Sequence, residues 1–246
     1  MKLIAEAHAK INWTLEVLGV RQDGYHELRS VVLPVQLHDS VVLDEADELV
    51  CEMPGMDVPQ AENLAYRAAM ALRSETGCKL GARIRIEKRI PSGAGLGGGS
   101  ADAAAVLNGL NDLWRLHLPK AELCEIAARV GSDVPALTLG GPVLMEGRGE
   151  RVRPFDGAGL PAPDDIVIFT PDIFSSTSAV YREFREDDRG RGPNDLQPAA
   201  LRLYPGIGDA LRRLEREGLR RVTMSGSGSS VYGIISAHRR NPQERK

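Results

Sequence analysis

The sequence has little of what marks secreted, membrane-spanning or nucleic-acid-binding proteins. Its three cysteines, Cys51, Cys78 and Cys124, form no CxxC pair, which argues against a disulfide framework or a zinc site and favours a reducing compartment. Charged residues interrupt the apolar stretch at the amino terminus, so neither a signal peptide nor a membrane span is predicted. The formal net charge of -3 offers no basic surplus for nucleic acid or anionic lipid. We expect a cytoplasmic protein without nucleic-acid or membrane partners, and the oligomeric state stays open.

The length and composition are those of an ordinary globular protein. The chain has 246 residues, of which 42% are hydrophobic and 26% charged, and it carries no internal repeat. This length exceeds one average domain and falls short of two full-sized ones. Prolines and glycines concentrate in residues 153 to 164, which we interpret as a linker. We therefore predict a first domain of residues 1–154 and a smaller second domain of residues 155–246.

Hydrophobic periodicity predicts strands and helices in mixed order. Strands are expected twice within Leu3–Leu18, at Leu28–Leu37 and Ser40–Leu43 on either side of His38-Asp39, and at Arg83–Ile90, which alternates charged and apolar residues. Helices are expected over Asn63–Thr76, from about Ser100 onward, and from Pro119 to Gly131. In the second half, strands are expected at Asp165–Phe169, Val222–Met224 and Ser230–Ile235, and helices at Ser178–Arg185 and Ile207–Glu217. The charge run Arg182–Arg191 is interpreted as a solvated loop. Because there is no regular βαβ alternation, the predicted fold class is α+β.

A glycine-rich segment lies between the strand that ends near Ile90 and the helix that begins near Ser100. It contains Pro91, Gly93, Gly95, Gly97, Gly98, Gly99 and Ser100. A polyphosphate is best met by successive backbone N–H groups and the positive end of a helix dipole, and glycine allows that close approach. The segment therefore predicts a nucleotide phosphate site.

Three other interpretations of this segment are weaker. Gly93, Gly95 and Gly98 satisfy GxGxxG, the dinucleotide fingerprint, but the preceding strand has one charged face and no acidic residue is evident about 20 residues further on. A Walker loop is excluded because no GK[ST] follows the glycines. A flexible linker seldom lies tightly between a clear strand and a clear helix.

Three ordered segments resemble the motifs of the GHMP small-molecule kinases. They are AHAKINWTLEVLGVRQDGYHEL near the start, PSGAGLGGGSADAAA in the middle and MSGSGSSVYG near the end, with GSDVP and PNDL as further anchors. The resemblance covers most of the chain and implies a two-domain fold with the active site in the inter-domain cleft. It also implies ATP-dependent transfer of a phosphoryl group to a substrate hydroxyl.

The family resemblance assigns the catalytic residues. Asp133, in GSDVP, corresponds to the residue that receives the hydroxyl proton, and Lys10, in AHAKIN, to its partner. A carboxylate near the hydroxyl can accept its proton, and an adjacent ammonium keeps that carboxylate ionised. Because phosphoryl transfer needs little deprotonation of the nucleophile, the sequence leaves open whether Asp133 is a true base or mainly orients the hydroxyl.

The first motif resembles most the branch of the family that phosphorylates a cytidine-diphosphate-linked erythritol in non-mevalonate isoprenoid synthesis. That branch implies a small-molecule substrate held by Asn12, Tyr25, His26, Thr177, Tyr181 and the turn Gly226, Ser227 and Gly228, with the tyrosines flanking the cytosine. Lys88, Asn63 and Leu64 resemble positions that line the adenosine pocket. Mg²⁺ is expected with ATP, and the Ser100 hydroxyl is the one ligand that the sequence suggests.

The sequence departs from the family pattern at two places. Ala101 replaces the second serine of GGGSS, and the chain ends soon after Ile235, where the family continues with a helix and a strand; the second domain is therefore expected to be shortened. Three alternatives stay open: another kinase of the same family, a nucleotide-binding module without catalysis, and a dinucleotide oxidoreductase. Retention of Lys10 and Asp133 argues against the second, and binding of adenine nucleotides alone would exclude the third.

Overall fold

The structure is a computed structural model that describes residues 2–235. Its strands are β1 (Lys2–Val20), β2 (His26–Ala46), β3 (Leu49–Glu52), β4 (Gly81–Glu87), β5 (Val143–Gly147), β6 (Arg151–Pro154), β7 (Ile166–Phe169), β8 (Arg220–Met224) and β9 (Val231–Ile234). Its α-helices are α1 (Leu64–Thr76), α2 (Gly98–Leu113), α3 (Lys120–Val130), α4 (Val134–Leu139), α5 (Thr177–Glu183), α6 (Gln197–Leu203) and α7 (Gly206–Arg216), and Pro163–Asp165 and Glu186–Asp188 are short 3₁₀ turns. The predicted α+β class is confirmed.

The first sheet has six strands and is organised around β2. β1 runs antiparallel to β2 along nearly its whole length, and β4 and β5 pair with the two halves of β2 on the other edge. β3 extends the sheet beyond β4, and β6 extends it beyond β5. In β4, Ile84 and Ile86 are buried while Arg85 and Glu87 are exposed, as the alternation predicts.

The predicted division of the first two strand regions is wrong. Residues 2–20 form one strand, and register shifts after His8, Asn12 and Val17 account for the imperfect alternation that suggested two. β2 likewise continues through His38 and Asp39. Tertiary contacts hold that segment extended, because Asp39 is fully buried and accepts hydrogen bonds from backbone N–H groups beyond β4.

The larger core is formed by the first sheet with α1, α2 and α3, and α2 is the helix that packs directly on β1 and β2. The helix expected over Asn63–Thr76 is α1; Asn63 precedes it as the N-cap, its side chain accepting a hydrogen bond from the Ala65 amide, and the helix ends at Gly77 in a left-handed conformation. α2 starts at Gly98, slightly earlier than expected, and its alanine-rich surface allows close contact with the sheet. At Gly109 a β-carbon would lie 2.3 Å from Leu43 Cδ1, so a side chain there would displace the buried Leu43. α3 spans the range expected between Pro119 and Gly131.

The second sheet has the order β7-β9-β8; α7 packs on β8 and β9, and α5 and α6 complete the smaller core. Its core contains Leu15, Val17 and Leu28 from the first two strands of the chain, and Tyr232 of β9 belongs to the larger core instead. The two sheets are therefore joined by shared side chains as well as by the polypeptide.

Several elements escaped the sequence patterns. β3, β5, β6, α4 and α6 were not predicted, and the proposed linker begins inside β6. The charge run Arg182–Arg191 is not simply solvated: Asp188 is buried and pairs with the Arg202 guanidinium at 2.7 Å. The domain boundary at residues 154 and 155 stays a prediction, and the expected shortening of the second domain concerns residues 236–246, outside the described part. Within residues 2–235, no helix is both long and apolar enough to cross a membrane.

Candidate active site

A single cleft of about 990 Å³ collects most of the predicted site residues. It is lined by Lys10, Asn12, Tyr25, His26, Leu64, Lys88, Pro91, Gly93, Gly95, Gly97, Gly98, Gly99, Ser100, Asp133, Thr177, Tyr181, Gly226 and Ser227. These residues come from β1, the turn before β2 and the start of β2, the start of α1, the segment from Lys88 through the glycine-rich residues to α2, the α3–α4 connection, α5 and the turn between β8 and β9. Elements of both sheets therefore contribute to one space, large enough for a nucleotide together with a second small molecule.

The glycine-rich segment ends at the amino terminus of α2. Gly93, Gly95 and Gly97 have φ angles of +66°, +75° and +69°, which side chains rarely adopt. Gly97 occupies the N-cap position, no side chain caps the helix, and its first turn has no acidic residue. The first-turn N–H groups of this 16-residue helix and its positive dipole end are thus available to an anion at the cleft.

Lys10 is buried beside the amino end of α2. Its Nζ donates to Asn12 Oδ1 at 2.7 Å and lies 3.3 Å from Asp133 Oδ2. The Lys10 side chain is only 5% exposed, so its charge is held in a fixed direction with little screening by water. A β-carbon at Gly97 would lie 3.1 Å from both Cγ and Cε of Lys10, so the glycine-rich segment packs directly on the lysine stem.

Asp133 lies in the connection between α3 and α4. It occupies the N-cap position of α4, yet its side chain accepts no capping hydrogen bond. Its carboxylate is 32% exposed and lines the cleft while one oxygen faces the Lys10 ammonium. The carboxylate therefore remains available to a group in the cleft.

Asn12 fixes the direction of the Lys10 ammonium. Its Nδ2 donates to Ser30 Oγ at 2.7 Å, and Ser30 Oγ in turn donates to the Thr14 carbonyl at 2.6 Å, which leaves Asn12 Oδ1 to accept from Lys10. The backbone of Asn12 is held as well, because its carbonyl accepts from the Tyr232 hydroxyl at 3.0 Å. Asn12 lines the cleft, but its side chain is committed to these two partners.

Lys88 lies beneath the glycine-rich segment and contacts two buried carboxylates. Its Nζ is within 2.6 Å of Asp102 Oδ2 and also bonds Asp39 Oδ2. Asp39 accepts two further backbone N–H groups, whereas Asp102 Oδ1 has no hydrogen-bond partner among the described residues. Burial disfavours the charged form of Asp102 and raises the pKa of this carboxyl to about 7. The Lys88 ammonium opposes the shift, but it is shared with Asp39 and does not cancel it.

Aromatic side chains surround the part of the cleft formed by the turn before β2 and by α5. The His26 and Tyr181 rings lie 4.9 Å apart, and Phe184 approaches His26 edge-on. Tyr25 is 56% exposed, and the Arg148 guanidinium lies 4.6 Å above its ring.

The titration of these groups follows their surroundings. Burial, and secondarily the charge of Arg189, lower the pKa of His26, which favours a neutral imidazole with one donor and one acceptor nitrogen. Burial, assisted by the Asp133 charge, raises the pKa of Tyr181, so its hydroxyl keeps its proton. This part of the cleft therefore offers flat aromatic faces and neutral hydrogen-bonding groups, which suit a nucleobase.

The turn between β8 and β9 closes the cleft near Lys10. The Thr177 and Ser227 hydroxyls are hydrogen-bonded at 2.8 Å, and a β-carbon at Gly226 would lie 3.5 Å from Lys10 Nζ. Asn194, buried in the PNDL segment, donates to the carbonyls of Met224 and Gly226 at 2.8 Å each. Gly95 fits against this turn only without a side chain, since a β-carbon would lie 2.3 Å from the Ser225 carbonyl oxygen.

Two predicted residues do not line the cleft. Asn63 is buried as the N-cap of α1 and contacts the sulfur atoms of Cys51 and Met53. Gly228 lies behind the turn, where a β-carbon would meet Met224 Sδ at 2.8 Å. Sequence reasoning missed several lining residues: Leu15, Gly24, Leu28, Ile90, Ser92, Ala94, Gly131, Ser132, Met145, Arg148, Ser178 and Arg182. Of these, Ser132 could have been found from its place in GSDVP, whereas Arg148 carries no local signal.

A helix terminus open to an anion and a lysine–aspartate pair in one cleft are the arrangement expected of an enzyme of the phosphoryl-transfer class. Residues 63–141 match the GHMP kinases N terminal domain, and residues 177–245 match the GHMP kinases C terminal domain. The chain belongs to the GHMP kinase family, which implies ATP as a substrate.

Relatives that align with nearly the whole chain are also kinases by name. The chain is 44% identical to a 4-diphosphocytidyl-2-C-methyl-D-erythritol kinase of Symbiobacterium thermophilum, with 94% of this chain and 89% of the relative covered. It is 38% identical to the enzyme of that name in Pelotomaculum thermopropionicum, with 96% and 90% covered.

Solved structures agree as well. A crystal structure of 4-(cytidine 5'-diphospho)-2C-methyl-D-erythritol kinase is 37% identical and superposes with a TM-score of 0.80, covering 94% of this chain and 90% of that one. A homoserine kinase from Cytophaga hutchinsonii, 18% identical with a TM-score of 0.70 and 96% and 86% covered, shares the fold. The predicted GHMP-kinase-like fold is confirmed.

Proposed function

We propose that this chain transfers the γ-phosphoryl group of ATP to the 2-hydroxyl of 4-diphosphocytidyl-2-C-methyl-D-erythritol, a step of non-mevalonate isoprenoid precursor synthesis. The observation that carries the proposal is the Lys10–Asp133 pair, 3.3 Å apart, in the same cleft as the amino end of α2 and the His26–Tyr181 rings. Relatives of this name that cover at least 94% of the chain support the substrate. An ATP-consuming reaction also suits the predicted cytoplasmic location.

In the proposed reaction, the substrate hydroxyl oxygen bonds to the γ-phosphorus while the bond to the β–γ bridging oxygen breaks and ADP leaves. The hydroxyl proton passes to the Asp133 carboxylate, which keeps a free oxygen toward the cleft. Lys10 keeps that carboxylate ionised and offsets negative charge on the transferred group. Because this transfer depends mostly on position and electrostatics, alignment of the hydroxyl by Asp133 contributes alongside proton acceptance.

The nucleotide phosphates are proposed to lie against the amino end of α2. Gly97, Gly98 and Gly99 present backbone without side chains there, and the helix dipole favours the negative charge. Leu64 lines the same cleft and is proposed to contact the adenosine together with the stem of Lys88, whose ammonium is occupied by carboxylates.

The residues present fit Mg²⁺ carried in with ATP. The Ser100 hydroxyl and the Asp133 carboxylate both line the cleft, and oxygen ligands of this kind, completed by phosphate oxygens and water, are what Mg²⁺ prefers. Ser100 stays the predicted protein ligand. When bound, the ion would neutralise part of the polyphosphate charge.

The cytidine moiety is proposed to lie between Tyr25 and Tyr181, next to His26. A neutral imidazole can donate to or accept from the base edge, and lowering of the His26 pKa by burial favours that state. Arg148, positioned over Tyr25, is available to the diphosphate that links cytidine to the erythritol. Thr177 and Ser227, which are hydrogen-bonded to each other, are proposed to form the wall of the cleft next to this substrate.

The test is product formation by the purified chain with ATP, Mg²⁺ and the proposed substrate, followed by phosphorus NMR. We expect one phosphomonoester per ADP formed. Asp133→Asn, which keeps the size and removes the charge, is expected to lower kcat by about 10²–10⁴-fold. Asp57→Asn, at an exposed position outside the cleft, is the matched control and should keep wild-type turnover. Absence of product at any substrate concentration would refute the proposal.

A second candidate is another hydroxyl substrate of the same family, favoured by the fold shared with a homoserine kinase. Cytidine diphosphate separates the two. It should compete with the substrate, and not with ATP, if Tyr25, His26 and Tyr181 form a cytosine pocket. No competition, combined with turnover of homoserine, would favour the second candidate.

A further inference from the structure

Glu6, His8 and His38 form a cluster outside the catalytic cleft. One ligand atom of each lies within 4.8 Å of the others, and the three share no position with the cleft lining. Glu6 and His8 instead line a separate cavity of about 310 Å³. The proposed phosphoryl transfer uses none of these side chains.

The cluster is a product of strand register. His8 of β1 lies directly opposite His38 of β2, and Glu6 is opposite Ser40, one alternation further along the same face. Residues 6 and 8 point away from the larger core, whereas Ala7 and Ala9 between and after them are buried in it. The two imidazole rings are 5.3 Å apart between centroids. The backbone therefore brings the three side chains together without a flexible loop.

Hydrogen bonds fix which imidazole nitrogens are free. His8 Nδ1 lies 2.8 Å from the Val35 carbonyl oxygen, and His38 Nδ1 lies 2.8 Å from the Gln36 carbonyl oxygen. A carbonyl oxygen only accepts, so each Nδ1 carries the hydrogen and each neutral ring presents its Nε2 lone pair. Histidine ligands of metal ions are commonly oriented by such a bond from the other ring nitrogen.

Both Nε2 atoms face the same carboxylate. His8 Nε2 is 3.2 Å from Glu6 Oε2, and His38 Nε2 is 3.7 Å from Glu6 Oε1. In a tetrahedral site with bonds of about 2.0–2.1 Å, neighbouring ligand atoms lie roughly 3.3 Å apart. The two distances end on different oxygens of Glu6, and one ligand atom from each residue lies within 4.8 Å of the others, so side-chain rotation would bring both nitrogens and one oxygen to that spacing. The side chains are 62%, 38% and 25% exposed for Glu6, His8 and His38, so an ion could enter from solvent.

We propose that Glu6, His8 and His38 form a Zn²⁺ site that joins β1 to β2 on the outer face of the first sheet. Two imidazoles and a carboxylate are a ligand set that Zn²⁺ takes, with water in the fourth position. Mg²⁺ and Ca²⁺ prefer all-oxygen ligands and are not expected to compete. The cysteine pattern argues only against a cysteine-ligated site.

The location predicts a structural effect. The register of β1 and β2 shifts immediately after His8, and Lys10 of the catalytic cleft follows two residues later. A metal bridge between His8 and His38 would hold the strands together at that irregularity. Because the ligands are assembled only in the native state, binding should raise the unfolding temperature.

The test is isothermal titration of tag-free, full-length protein with ZnCl₂ in the absence of nucleotide. We expect saturable binding of one equivalent, visible d–d bands of four-coordinate cobalt when CoCl₂ replaces ZnCl₂, and no displacement by excess Mg²⁺. Glu6→Gln, His8→Gln and His38→Gln should each weaken binding at least about tenfold, and the double histidine variant should bind no stoichiometric zinc.

His117→Gln is the matched control, since His117 is exposed and lies outside the cluster. It should bind zinc like the wild type and show the same rise in unfolding temperature. Unfolding temperatures without metal establish that each variant is folded. The proposal is overturned if the wild type binds no stoichiometric zinc, or if the cluster variants bind it as tightly as the His117 variant does. The latter result would locate the ion elsewhere in the chain.

Discussion

Lys10 is held by short-range contacts that leave its ammonium little freedom. Asn12 accepts one of its hydrogens, Asp133 faces it at 3.3 Å, and Gly97 packs against its methylene stem. Glycine is required at position 97 both for the +69° φ angle and for this contact. The position of the charge therefore depends on a residue that carries no functional group.

Replacing Gly97 by alanine should displace Lys10 and lower kcat at least about tenfold, since misplacement by about 1 Å can cost a hundredfold. Gly159→Ala is the control, because Gly159 also has a positive φ, +78°, but a β-carbon there meets nothing within 4 Å. Both variants should lose about 1 kcal/mol of stability from backbone strain. Steady-state kinetics and urea unfolding measure the two effects, and equal activity of the two variants would contradict the assignment.

The buried group of Lys88, Asp39 and Asp102 predicts a dependence of stability on pH. Because the pKa of Asp102 is raised from 3.8 to about 7 on folding, the native state binds the extra proton. The contribution of this proton to the free energy of unfolding is complete below about pH 4 and is lost as the pH rises through about 7. Each unit of difference between the folded and unfolded pKa of Asp102 corresponds to roughly 1.4 kcal/mol.

Asp102→Asn should remove this dependence, because its neutral amide leaves Lys88 paired with Asp39 alone. Urea unfolding at several pH values gives the free energy of unfolding of the wild type and of the variant. Their difference removes the contribution of other carboxylates such as Glu27, whose pKa is lowered by Arg151 and Arg21. The variant should be the more stable protein at pH 8. A wild type that gains stability relative to the variant between pH 5 and 8 would show the opposite sign and refute the assignment.

At the scale of elements, the PNDL segment connects β1 with the turn between β8 and β9. The Leu15 amide donates to the Pro193 carbonyl at 2.8 Å, and Asp195 accepts from the Val17 amide at 2.9 Å. Asn194 holds the Gly226 carbonyl from the same segment. The position of the turn relative to Lys10 thus depends on a segment without regular secondary structure of its own.

Asn194→Ala should destabilise the protein by about 2–4 kcal/mol, because it leaves the buried Met224 and Gly226 carbonyls without their donor. It should also lower kcat through the displaced turn. Asn108→Ala removes a 3.3 Å bond to the Thr138 carbonyl, which Lys120 also reaches, and an exposed bond from Lys120, so it should cost less than about 1 kcal/mol and leave kcat unchanged. Thermal unfolding and kinetics check both, and equal losses in the two variants would argue against an anchoring role.

At the scale of the whole molecule, the two sheets share side chains across the proposed domain boundary. Leu15, Val17 and Leu28 enter the smaller core, and Tyr232 enters the larger one, where its hydroxyl bonds the Asn12 carbonyl. Each core is therefore incomplete without the other part of the chain.

We expect a single cooperative unfolding transition as a consequence. Trp114 reports on the larger core, and Trp13, which stacks on Tyr232 with centroids 6.4 Å apart, reports on the junction. Trp13→Phe and Trp114→Phe variants separate the two fluorescence signals, and their midpoints should coincide with that of far-UV circular dichroism. Two resolved transitions would instead support independently folding domains divided near residue 154.

Features that depend on local pattern could be predicted from the amino-acid sequence alone. The alternation from Arg83 to Glu87 specifies a strand, and the helical spacing before Gly77 specifies α1. The glycines before α2 predict the proposed phosphate site within one short stretch of chain. Ordered motifs added the GHMP kinase resemblance and led to Lys10 and Asp133.

Tertiary structure decided what depends on distant partners. β1 and β2 stay continuous because the two strands remain paired on both sides of each register shift. Asp188 is buried because the Arg202 guanidinium pairs with its carboxylate. The Asn63 side chain caps α1 and does not line the cleft. Arg148 lies in the hairpin between β5 and β6, which places its guanidinium over the Tyr25 ring. The meeting of His8 and His38 likewise follows from pairing register alone. Burial and electrostatic pairing act through space, so no local window of sequence contains them.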